Sequence, residues 1–142
     1  MKILSRKSIF LTLLAAVILL FVVLMIAGKS NGINLDTEEK RREYIAGLEI
    51  TLSDKPPVVQ NIIIPSEFSE VYERYNEVQK SAGFDLWKYR GEFAVQYSYE
   101  AVNFPDDTVR VNLILYKGYL IGGDVGSTRL DGFMTGLVPK KD

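Results

Sequence analysis

Apolar and polar positions follow three different patterns along this chain. From Ile9 to Ala27 they do not alternate, and Thr12 is the single residue in the run with a polar side chain. As a helix rising about 1.5 Å per residue, the run matches the roughly 30 Å hydrocarbon core of a bilayer. From Ser66 to Ala82 the period is helical. Phe68, Val71, Tyr72, Tyr75, Val78 and Ala82 share one side, and Glu67, Glu70, Glu73, Arg74, Glu77 and Lys80 share the other. From Glu92 to Ala101 the alternation is strict, with Phe93, Val95, Tyr97 and Tyr99 against Glu92, Gln96, Ser98 and Glu100, as in a half-buried antiparallel strand.

The remaining elements follow from shorter signals. Tyr44, Ile45 and Leu48 give the buried side of a short helix that Gly47 stops, with Asp36 and Glu39 at capping-box spacing before it. Lys40, Arg41 and Arg42 sit among acidic neighbours and are expected to form a solvated face. Glu49–Ser53 and Val58–Ile64 are rich in β-branched residues and flank Asp54-Lys55-Pro56-Pro57, which predicts two strands around a turn. Ser66 is the expected cap of the long amphipathic helix. Gly83 is its expected left-handed stop, and Asp85 caps a further short turn ending at Gly91.

Val109–Tyr116 and Tyr119–Val125 predict a hairpin around Lys117-Gly118. Unbroken pairing sets Leu115 against Leu120, Ile114 against Ile121, Leu113 against Gly122 and Asp124 against Val111. Both faces of this hairpin are apolar, so it belongs at the centre. Gly122-Gly123 suggests a bulge or a close backbone approach. The expected class is α+β: an N-terminal transmembrane helix, then one domain of order α-β-β-α-β-β-β. Its mainly antiparallel sheet packs against the amphipathic helix. The expected organisation is a cytoplasmic tail over 1–7, an anchor over 8–27, a linker over 28–34, an extracytoplasmic domain over 35–138 and a tail over 139–142.

Two other readings of the apolar run fit it less well. A cleaved signal peptide has a shorter apolar stretch, and a cut after Ala27 would place bulky Met25 at the −3 position. A buried core helix would not be apolar on every face. Lys2, Arg6 and Lys7 precede the run and Lys29 follows it closely. A short basic tail stays inside more easily than it crosses, so the N-terminus is expected in the cytoplasm. The chain has 17 basic and 18 acidic residues. Those four flanking basic residues lie in or beside the anchor, so the outer part is net acidic, which argues against nucleic acid as a partner. There is no cysteine, hence no disulfide, and the outer domain depends on its core for stability.

Four pieces together resemble a family of small anchored proteins of Clostridia-type bacteria known as domain of unknown function 4830. They are Ala46-Gly47-Leu48 before a strand; Ile64-Pro65-Ser66-Glu67-Phe68 with Val71-Tyr72 and Tyr75-Asn76; Gly83-Phe84-Asp85-Leu86 running to Tyr89-x-Gly91; and Ile121-Gly122-Gly123-Asp124 followed by Leu130-Asp131-Gly132-Phe133-Met134. The resemblance covers about residues 36–137. It implies no activity and assigns no residue a role.

Chemistry has to stand on the residues themselves. The chain has no histidine, which removes histidine bases, Ser-His-Asp triads and the usual zinc sites, and it has no cysteine nucleophile. No serine is followed three residues later by lysine. Gly122–Thr128 has the flavour of a phosphate loop without its lysine or spacing. Asp124 and Asp131, with Arg129 between them, are the carboxylate candidates for acid–base chemistry or for holding a cation; the plainer alternative is a turn at Asp131-Gly132. Trp87, in a short polar connection, is the aromatic candidate for stacking on a ligand, while most tyrosines fall on expected core faces. No cofactor or metal is expected. The partners are the lipid bilayer, through residues 8–27, and an envelope protein or ligand. The expected function is an interaction module at the outer face of the cell membrane. Two alternatives stand beside it: a carboxylate- or metal-dependent hydrolase using Asp124 and Asp131, and a structural accessory subunit of a membrane complex.

Overall fold

A computed structural model describes residues 14–19, 32–105 and 108–139. The chain divides into two compact units, residues 1–31 and 32–142. In the first, residues 14–19 are helical; the rest of the expected anchor lies outside the described residues, as do Asp106-Asp107 and the tail beyond Pro139. Among the described residues no helix is long and apolar enough to cross a membrane.

The second unit is α+β, and a five-stranded antiparallel sheet forms its frame. The strands are β1 (Val58–Ile63), β2 (Phe93–Ala101), β3 (Val109–Tyr116), β4 (Tyr119–Ser127) and β5 (Met134–Thr135). They pair in sequence order. Helix α1 (Glu38–Ala46) precedes β1, and helix α2 (Glu70–Ser81) lies between β1 and β2, followed by a short 3-10 helix, Leu86–Tyr89. The strand expected over 49–53 does not form. Glu49 adopts a left-handed φ of 61°, and the segment keeps only a Leu52–Ala101 bridge with flanking backbone bonds at Ser53 and Val102. In its place the sheet gains β5, two residues long and without an alternating pattern to announce it.

The hairpin is central, and its turn is the expected one. Lys117 and Gly118 both take positive φ, 50° and 81°, the twist that two-residue hairpins need and that glycine supplies without strain. Tyr116 pairs with Tyr119 and Leu115 with Leu120, but Ile121 is then extra, so Ile114 faces Gly122, Leu113 faces Gly123 and Asp124 faces Asn112. Asp124 is therefore not opposite Val111, which pairs with Val125. A bulge adds one residue to one strand, and everything beyond it moves by one.

Each face of the sheet has its own core. On one, Leu35, Ile45, Leu48 and Ile50, from and around α1, pack on Tyr99, Val111, Leu113, Leu115, Leu120 and Val125. On the other, Ile64, Leu86, Ala94, Ile114 and Ile121 are closed over by Phe68, Tyr72 and Tyr75. Helix α1 is capped by Thr37, whose hydroxyl accepts from the Lys40 backbone N–H, not by Asp36. Lys40 and Arg42 pair outward with Asp36 and Glu38. Arg41 departs from the expected solvated face and is buried. Its guanidinium donates to Tyr99 Oη (2.9 Å), the Leu35 carbonyl (2.9 Å) and Glu38 Oε2 (3.2 Å), and lies 3.9 Å from the Tyr97 ring centroid. A guanidinium can be buried when carbonyl, hydroxyl and carboxylate oxygens take up its donors.

Helix α2 starts at Glu70 and is capped by Ser69, three residues beyond Ser66; the Ser69 hydroxyl accepts from the Tyr72 N–H at 3.3 Å. Its inward stripe runs Tyr72, Tyr75, Asn76, Gln79, a helical spacing of three and four. Val71, expected in the core, is 74 % exposed, whereas Asn76 and Gln79 are buried. Asn76 is engaged through both of its amide atoms and Gln79 through its carbonyl oxygen. Asn76 Oδ1 accepts from Leu86 N at 2.8 Å and its Nδ2 donates to Asp85 at 2.9 Å. Gln79 Oε1 accepts from Gly123 N at 2.7 Å.

Gly122 and Gly123 allow that last bond. A side chain at Gly122 would place its Cβ 2.8 Å from Gln79 Oε1 and 3.0 Å from Leu86, and one at Gly123 would collide with the Asn112 carbonyl. The close approach expected there is present, together with the bulge.

Candidate functional site

Three places in the domain carry chemistry beyond packing. The first is a polar seam between α2 and the sheet. The bulge turns Asp124 toward α2, where the Tyr75 hydroxyl donates to Oδ2 at 2.7 Å and Asn112 Nδ2 donates to Oδ1 at 2.9 Å. Ser98 Oγ donates to Asn112 Oδ1 at 2.6 Å and accepts from Gln96 Nε2 at 3.3 Å. The chain of bonds thus runs from Gln96 on β2 across β3 and β4 to α2. Asp124 is 4 % exposed. Burial pushes its carboxyl above the ordinary 3.8, against the downward pull of the bonds from Tyr75 and Asn112. Burial and the adjacent carboxylate together hold the Tyr75 phenol protonated well above its usual range.

The second is an apolar cleft of about 620 Å³ beside the β4–β5 edge. Its walls include Ile50, Val78, Phe104, Phe133, Met134 and Val138. The Phe104 and Phe133 rings lie 6.0 Å apart. Phe133 and Met134 are 41 % and 55 % exposed, and Leu130 earlier in the same connection is wholly exposed. The cleft and the seam are neighbours: a Cβ on Gly126 would sit 3.7 Å from Asp124 Oδ1 and 3.9 Å from Met134 Cβ. Its size falls within the usual range for small-ligand pockets.

The third place surrounds Trp87, which is 45 % exposed. The Arg90 guanidinium stacks 3.8 Å from its ring, and Phe68 meets it edge-on at 5.1 Å. The surrounding groove, about 360 Å³, is polar, with Glu73, Glu77, Lys80 and Asp85 on its walls.

The four residues singled out from the sequence do not converge. Trp87 belongs to the polar groove and Asp124 to the seam, while Arg129 and Asp131 pair with each other at 3.4 Å on an exposed turn. Asp124 and Asp131 share no hydrogen bond, no ion pair and no cavity wall. Among the described residues no group of three or more His, Cys, Asp or Glu side chains is placed to hold a metal. Sequence reasoning places Tyr75 on the core face of its helix and gives no role to Asn112 or to the cleft pair Phe133 and Met134. One signal was visible: Asn112 is the sole uncharged polar residue in the apolar run of β3. No family model, curated protein or solved structure matches the chain.

Proposed function

We propose that this chain is a membrane-anchored binding module of the cell envelope. Residues 8–27 hold it in the bilayer with the N-terminus cytoplasmic, and the domain over 35–138 stands outside and takes up a partner that presents apolar side chains. The observation that carries this reading is the open apolar cleft with Phe133 and Met134 exposed at its rim. Exposed apolar surface gathered at a concave site is the mark of a binding surface. The anchor rests on the length and composition of the run, and the resemblance to domain of unknown function 4830 is part of the same proposal without adding a residue role. The hydrolase reading draws no support from the separated positions of Asp124 and Asp131. The accessory-subunit reading has one observation in its favour, the apolar side chains Val58, Val59, Ile63 and Phe93 exposed along the β1–β2 edge.

Two measurements test the proposal. Protease added to intact protoplasts is expected to remove the chain beyond Asn34 and spare the first seven residues; a fully protected domain would refute the localisation. A photo-crosslinking side chain at Met134 in living cells is expected to capture one discrete partner, and Val78→Asp on the cleft wall should abolish that capture. Equal capture from Met134 and from Trp87, or capture unaffected by Val78→Asp, would refute the cleft as the site.

A further inference from the structure

The sheet has two ends, and the chain enters the domain at one of them. Strands β1 and β3 finish, and β2 and β4 begin, at the end that holds the Lys117-Gly118 turn. The entering chain is fastened there at once. The Ile33 carbonyl accepts from Leu120 N and Leu35 N donates to the Gly118 carbonyl, each at 2.9 Å. The linker expected over 28–34 is thereby cut to residues 28–32, and from Ala27 to Gly32 a fully extended chain spans at most about 18 Å. Along β4, Tyr119 and Ser127 are separated by about 26 Å at the usual strand rise. Leu130, Phe133 and Met134 belong to the connection beyond Ser127, at the far end.

The near end presents large apolar and aromatic side chains from separate segments. Ile33 and Tyr119 are exposed where the entering chain meets β4, and Ile63 and Phe93 are exposed as a cross-strand pair, Phe93 by 73 %. Trp87 is exposed on the 3-10 helix, whose Tyr89 ring lies 5.4 Å from the Tyr116 ring beside the turn. Tryptophan and tyrosine join an apolar body to a polar tip and settle at membrane–water interfaces. Charge does not select a headgroup, because Lys88, Arg90 and Lys117 are matched here by Glu67, Glu73 and Glu92.

We infer that this end of the sheet docks on the surface of the bilayer, with Ile33, Ile63, Trp87, Phe93 and Tyr119 set into its interfacial layer. The inference rests on the anchored reading of residues 8–27. The tether names the occupant: it ends at this end of the sheet and is shorter than the sheet is long, so lipid is the surface always within reach. Tethering also makes docking an intramolecular step, for which shallow insertion of a few side chains suffices. Docking through this end leaves the cleft beside the β4–β5 edge open to a partner.

Trp87 is the chain's single tryptophan and reports on this end directly. In the full chain reconstituted into phosphatidylcholine vesicles, lipids brominated close to the headgroup should quench Trp87 at least about twofold more strongly than a tryptophan at the far end, placed by Trp87→Phe with Leu130→Trp. Ile63→Ser with Phe93→Ser keeps the tether and Trp87. It is expected to relieve the quenching with the melting temperature kept, since both side chains are exposed. Anionic lipid and added salt should change neither result. Flotation of the same vesicles in alkaline carbonate separates the two readings. A chain stripped from the lipid refutes the anchor and the docking with it, while a chain that floats with Trp87 unquenched refutes the docking alone. Equal quenching at positions 87 and 130, or quenching that survives Ile63→Ser with Phe93→Ser, would also overturn the inference. So would a Trp87 shielded from aqueous iodide yet unquenched by lipid, which would place a second copy of the chain there instead.

Discussion

The two faces of the sheet are covered by different means. Under α1 the contact is aliphatic and aromatic, and its buried ionic group, Arg41, meets oxygen atoms at each donating nitrogen. Under α2 the aliphatic core is smaller, and the buried residues of the helix stripe are Asn76 and Gln79, with Asp124 buried against Tyr75. The first face supplies non-directional stabilisation that tolerates small shifts. The second depends on hydrogen bonds that hold only if the bulge at Ile121 and the bare backbone of Gly122 and Gly123 are in place. A buried polar contact fixes position more sharply than an apolar one, because leaving it unmade has a high cost. The cleft borders both faces, with Ile50, Phe104 and Val125 from the first core and Val78 from α2 on its walls.

The largest expected effect tests the apolar face. Leu115→Ala removes a side chain that is 3 % exposed and should lower unfolding stability by about 2–5 kcal/mol in urea denaturation. A loss below about half a kcal/mol would show that the α1 core is not where the stability lies. Next is Tyr75→Phe, which keeps the ring and removes the donor to Asp124. With a buried carboxylate left short of a partner, the expected cost is about 1–3 kcal/mol. The loss should shrink when it is introduced into Asp124→Asn, since a double-mutant cycle isolates their coupling. Additive losses would mean that the seam is packing alone.

The smallest effect sharpens the contrast through pH, because Glu38 on the first face and Asp124 on the second are shifted in opposite directions. Burial alone would raise Glu38, but bonds from Tyr99, Arg42 and Arg41 overcome it and hold its carboxyl below the ordinary 4.5. Its stabilising contribution is present above about 4.5 and is lost as pH falls through its lowered folded value. Burial raises Asp124 above 3.8. Its ionised form opposes folding above the raised value, and that opposition is relieved as pH falls from there toward 3.8. Measured against Asp124→Asn, the parent should gain relative stability between neutral pH and pH 4. Against Glu38→Gln it should lose relative stability below about pH 4.5. Denaturation midpoints across this range check both, and two curves of the same slope would erase the electrostatic difference between the faces.

Features that depend on neighbours in the chain are legible before folding is considered. Lys117-Gly118 set the hairpin turn, the apolar residues on both of its faces set its central place, and the alternation over 92–101 marked β2. Gly83 and Asp85 set the stop of α2 and the start of the turn after it, and the glycine pair announced a close approach. The tertiary structure decided what depends on partners far along the chain. Asn76 and Gln79 fall on neither side of the expected helix pattern until Leu86 and Gly123 are brought to them, and Arg41 looks paired outward until Leu35 and Tyr99 surround it. Val71 looks buried until the helix stripe settles on its polar neighbours. The pairing of Asp124 with Asn112 instead of Val111 turned on one extra residue, Ile121, in a strand that can pair smoothly or with a bulge. Local pattern reports whether a residue is apolar; whether a polar residue can be buried is settled by the donors and acceptors that folding delivers to it.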